Sequence, residues 1–65
     1  MIWHPMRSNP IDYVGRTVTS DHGTGKLTLT MTGQFVIESA AGSFMLGDNA
    51  NACHLLDMHE YTVED

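Results

Sequence analysis

Cys53, His54, Asp57 and His59 are the one local group of residues whose types could hold a metal or activate a nucleophile. Zinc takes four converging ligands, commonly from C-x₂₋₄-C or H-x₃₋₅-H pairs. The His54–His59 spacing meets the loose end of that rule. On a strand, however, the two rings point to opposite faces, and on a helix five positions do not share a face. His4 or His22 would have to complete such a site through the fold. The expectation is therefore ordinary surface histidines and a half-buried cysteine, with no metal or other cofactor. Cys53 beside His54 also fails as a catalytic pair. A thiolate needs an imidazole within hydrogen-bond reach and an oxyanion hole in a pocket, and a domain this small is expected to have little room for a cavity of about 300 Å³.

The run DHGTGK from Asp21 to Lys26 invites comparison with phosphate-binding loops. A Walker A loop places glycine five residues before its last glycine and Ser or Thr after the lysine, where this chain has Ser20 and Leu27. It reads as a plain turn. With no catalytic constellation, no enzyme is expected.

Charge narrows the partners. Three Lys/Arg against eight Asp/Glu give a net charge of −5. That balance opposes direct nucleic-acid binding, which depends on cations neutralising phosphates. It favours a partner protein with a basic surface. Apolar contacts for such docking are sought at Trp3, Val36 and Met45, and acidic ones at Glu38, Asp57 and Glu60. Trp3 has a second reading, folding back to plug one end of the fold, because an indole in water leaves much apolar surface wet.

Sixty-five residues bury only roughly 60% of their unfolded surface. One cysteine excludes an internal disulfide and suits a reducing, cytoplasmic setting. There is no apolar run of membrane-spanning length and no apolar signal core at the start.

The elements that position these residues centre on Lys26 to Gly47. Leu27, Leu29 and Met31 alternate with threonines, as do Phe35, Ile37 and Ser39 with Val36 and Glu38, the period of half-buried strands. A three-residue loop from Thr32 to Gln34 pairs Met31 with Phe35 and Leu29 with Ile37, keeping Glu38 off the apolar face. Phe44 and Leu46 continue the core in the next strand, leaving Val36 and Met45 on the other face, where they form an apolar spot if both are exposed. Both phenylalanines are expected inside.

Upstream, Met1 to Ser8 reads as an extended arm, and Asn9-Pro10-Ile11-Asp12 as a helix start whose turn ends at Gly15. Arg16 to Ser20 is the first strand. Downstream, a helical turn near Ala50 to Cys53 is expected to lead into a strand from about Leu55 to Val63.

Residues 1–65 thus describe one mainly all-β domain: an arm (1–8), a short helical turn (9–15) and a five-stranded antiparallel bent sheet or barrel (16–64) of SH3-like or Sm-like shape. The expected function is a non-enzymatic protein-binding module that docks on, and inhibits or regulates, a larger protein with a nucleic-acid-facing surface, as a viral or mobile-element protein would. The alternatives are a single-stranded nucleic-acid binder that stacks bases on aromatics and a structural subunit of a homo-oligomer or homodimer.

Overall fold

The computed structural model describes residues 2–4, 6–21 and 23–64, so that His22, an expected metal-site candidate, lies outside the described residues, as do Met1, Pro5 and Asp65. In chain order come a 3₁₀ turn (Pro10–Tyr13), β1 (Thr17–Ser20), β2 (Gly23–Leu29), β3 (Phe35–Ser39), β4 (Gly42–Gly47), helix α1 (Asn49–Met58) and β5 (Thr62–Val63). The strands form one antiparallel sheet in the order β4-β3-β2-β1-β5, with β4 and β5 at its edges.

Period-two patterning places the core. Val18, Leu27, Phe35, Ile37, Leu46 and Val63 are buried with Ala52 and Leu56 of α1 and with Trp3, Tyr13 and Tyr61. The N-terminal segment is docked, not loose: Ile2 bridges to Thr62, and Trp3 N–H donates to Tyr61 O at 3.2 Å. The Trp3 ring meets Tyr13 edge-on at 5.2 Å between centroids, and Tyr13 donates its hydroxyl hydrogen to Ser8 Oγ at 2.6 Å. The plug reading of Trp3 is the one the fold adopts.

The β2–β3 register differs from expectation by two. Leu27 faces Ile37, and Leu29 faces Phe35. The connecting loop is three residues long but begins one residue earlier, at Met31. Thr30 N–H donates to Gln34 O at 2.8 Å and Gly33 N–H to Thr30 O at 3.1 Å, while Thr30 Oγ1 accepts from Gln34 N–H. The physical reason is Gly33. Its φ of 83° supplies the left-handed residue that such a loop needs in third place, and the expected register put it second. Parity survives, so the faces are as expected. Leu29 slides to the end of the sheet, half exposed, and Met31 stands fully exposed at the loop tip; neither belongs to the core.

The expected strand over Leu55 to Val63 is replaced by helix as far as Met58. Asp48 caps its start, Oδ1 accepting from Asn51 N–H at 3.0 Å. Its end is a Schellman turn: Glu60 N–H reaches Asp57 O and Tyr61 N–H reaches Leu56 O, both at 3.1 Å. Tyr61 and Leu56, both buried, sit at the two positions whose apolar contact accompanies this motif. The cap at one end and the buried Leu56 at the other favour ten helical residues, leaving a strand of two. Among the described residues no helix is long and apolar enough to cross a membrane.

Candidate functional site

The expected binding residues fall into two groups on opposite parts of the molecule. Val36, Glu38 and Met45 share the face of β3 and β4 turned away from α1: Val36 pairs with Met45, and Glu38 lies opposite Lys26. Val36 is buried, at 7% exposure, and so contributes no surface, a correction to the expected apolar spot. It lies between Thr28, whose hydroxyl donates to Val36 O at 3.2 Å, and Met45, which remains more than half exposed. Its two cross-strand neighbours, Thr28 and Met45, cover it, which strand periodicity alone does not register.

Trp3, Asp57 and Glu60 come together. With Ile2, Leu56, Tyr61 and Thr62 they line a pocket of about 400 Å³ beside the β5 edge. Three features define it. Trp3, at 4% exposure, forms its apolar wall with Tyr61 and Leu56. Its indole Nε1 is shut off from solvent and finds no acceptor among the described residues. Asp57 and Glu60 are exposed carboxylates in the lining, and Glu60 has a φ of 53°. Glu60 occupies the first position past the helix cap, where glycine is the usual residue because it carries no Cβ penalty in the left-handed region. No family model, curated protein or solved structure matches the chain.

A second concavity was not expected at all. An open cleft of about 590 Å³ runs beneath the β3–β4 hairpin, lined by Ile37, Ala40, Ala41, Phe44, His59 and Tyr61 among others. It exists because α1 covers only part of the sheet, and its presence overturns the expectation that so small a fold lacks room. Phe44, opposite Ile37 on the core face, is 50% exposed there and not internal.

The metal-capable group does not converge. Cys53 is half buried on α1, His54 is exposed one residue on, and His59 caps the helix with its ring edge-on to Tyr61 at 6.4 Å. Among the described residues no three His, Cys, Asp or Glu side chains gather as a metal site would need. Burial pushes the Cys53 thiol above its ordinary pKa, the opposite of what a nucleophile requires.

The signal that sequence reasoning missed at the first pocket was the turn Met58 to Tyr61. Read as strand, Glu60 is one more surface acid. Read as a Schellman turn, it is a non-glycine residue in a glycine position beside the only tryptophan.

Proposed function

We propose that the protein is a non-enzymatic binding module that docks on a larger protein by taking one of its basic side chains into the pocket of Trp3, Asp57 and Glu60. Glu60 carries the reading. A glutamate held in the left-handed region costs about 1 kcal/mol or more relative to glycine, and such local strain concentrates at functional sites. The Trp3 indole N–H, which has no acceptor among the described residues, is a second local cost, on the order of 1–3 kcal/mol. Two costs at one pocket call for a role there that packing does not supply.

The chemistry of the lining indicates the occupant. Carboxylates at Asp57 and Glu60 suit a guanidinium or ammonium head, and the Trp3, Leu56 and Tyr61 walls suit its methylene stem. The net charge of −5 steers the whole molecule toward a basic surface. Occupying that surface would block nucleic acid from it, the basis for an inhibitory or regulatory role. The support for an SH3-like or Sm-like reading of the fold is the strand order, in which β5 returns to pair with β1 while β4 stays at the far edge.

The test uses a short arginine-containing peptide and the single indole N–H as a reporter in ¹H–¹⁵N spectra. Titration should move the Trp3 Nε1–H, Asp57 and Glu60 signals together. Glu60→Gly should raise the melting temperature, through relief of strain, while weakening the peptide. Shifts confined to other residues, or a Glu60→Gly variant that binds as well as the parent, would reject the assignment.

A further inference from the structure

The two edges of the sheet are managed differently. β5 is two residues long, and its outer side is already engaged by the Ile2 bridge to Thr62. β4 runs for six residues, Gly42–Gly47, and is paired only with β3 among the described residues. Natural edge strands are usually blunted with lysine, proline or inward-pointing charge. β4 has none: no charged residue and no proline lies between Glu38 and Asp48. Its exposed side chains include Phe44 on the core face and Met45 on the other.

The backbone groups that β4 offers can be worked out by alternation. Thr30 N–H bonds to Gln34 O, so Thr30–Gln34 is a hydrogen-bonded pair, and in this register Thr28–Val36 and Lys26–Glu38 follow as the next ones. Val36 and Glu38 thus direct their amides at β2, and Ile37 and Ser39 direct theirs at β4. Their partners Phe44 and Gly42 answer them. Ser43 and Met45 are left with N–H and C=O groups pointing outward along the open edge.

We propose that β4 is the seat of a two-fold homodimer, in which the β4 strands of two copies pair antiparallel with Phe44 facing Phe44 across the axis. In that register Ser43 of each copy faces Met45 of the other, and these are the residues whose amides point outward, so they form the hydrogen-bonded pairs. Phe44 falls at the non-hydrogen-bonded pair, where opposed side chains approach most closely. Directly opposed residues share a face, so the core faces of both copies lie on one side and the sheet continues across the axis.

The occupant is a second copy for two reasons. Residues 39–47 carry no charge, so a chain of net −5 can meet itself there without opposing carboxylates. The strand's own amide phase and side-chain faces are also satisfied together by self-pairing about Phe44. A 65-residue chain without a disulfide gains most from such a staple. The second Phe44 ring would stand beside the first at the outer end of the cleft beneath the hairpin. The Trp3 pockets, at the β5 edges, would sit at the two far ends of the joined sheet.

The deciding experiment is sedimentation equilibrium of the full chain and of Phe44→Glu and Phe44→Lys, each checked for native circular dichroism. The parent should be dimeric in the micromolar range. Each variant alone places like charges face to face and loses an aromatic pair, weakening the dimer by about 3- to 70-fold. Their equimolar mixture should re-form a heterodimer through the opposite-charge pair. Independently of any variant, exchange of the Ser43 and Met45 amides should slow as concentration rises, while the Phe44 amide, already bonded to β3, should not respond. A monomeric parent, variants that dimerise as well as the parent, a mixture that stays monomeric, or concentration-independent Ser43 and Met45 exchange would each overturn the proposal; a partner strand from another protein would produce the first of these.

Discussion

Gly25→Ala is the substitution that most directly probes how β2 and β3 are pressed together. Gly25 pairs with Val18 of β1 and lies beside β3. A Cβ added there would stand 2.5 Å from Ile37 Cγ2 and 2.8 Å from the Glu38 carbonyl oxygen. Neither neighbour has an easy way out. Ile37 is buried and β-branched, with little χ1 freedom, and the Glu38 carbonyl belongs to the sheet backbone. Overpacking of this kind costs about 1–3 kcal/mol. Removing a glycine stiffens the unfolded chain and returns about 0.4–1 kcal/mol. The net loss is then on the order of 1–2 kcal/mol, against a total of about 3–5 kcal/mol for a core this small. At about 4–8 °C per kcal/mol, the melting temperature should fall by roughly 4–16 °C. Thermal and urea unfolding followed by Trp3 fluorescence measures this, at one fixed protein concentration because self-association would itself move the midpoint. The two terms have opposite signs, so the outcome is decisive. A variant as stable as the parent, or more so, would mean that only the entropy term operates and that β3 does not crowd Gly25.

Two further outcomes follow from the helix. Asp48→Ala removes the bond from Asn51 N–H to Oδ1 and should cost about 1 kcal/mol, or about 4–8 °C in melting temperature; an unchanged midpoint would show that the cap carries no stability. Cys53 should alkylate more slowly in the native protein than in urea at neutral pH, because burial raises its thiol pKa and leaves less thiolate. The sign for stability follows: native structure favours the protonated thiol, so this contribution is present at neutral pH and is lost as pH climbs through the raised native value. Equal alkylation rates in the native and urea-unfolded chain would contradict the burial.

Several elements are legible in the chain itself, because their causes are local. A turn over Ala40 to Ser43, with period-two residues on either side, makes β3 and β4 neighbours in sequence; the structure shortens it to the two residues Ala40–Ala41 and starts β4 at Gly42. Asn9-Pro10 starts a turn because proline's fixed φ suits a first helical position, although Asn9 forms no side-chain cap. Strand faces are legible too, which is why Leu27, Phe35, Ile37 and Leu46 lie inside as expected. Of the pocket, only the residue types were legible: an indole and two carboxylates far apart in sequence.

Everything that depends on distance between strands or on where a helix stops was decided by the tertiary structure. Alternation fixes a face but is unchanged by a slide of two residues, so the positive φ at Gly33 and the Thr30 hydroxyl chose the register and left Leu29 and Met31 in solvent. Helical and extended readings of Leu55 to Val63 were nearly balanced by local propensity; burying Leu56 against the sheet and closing the turn with Tyr61 broke the tie. That choice also brought Glu60 round to Trp3, because a pocket is built from long-range closure and no spacing along the chain encodes it.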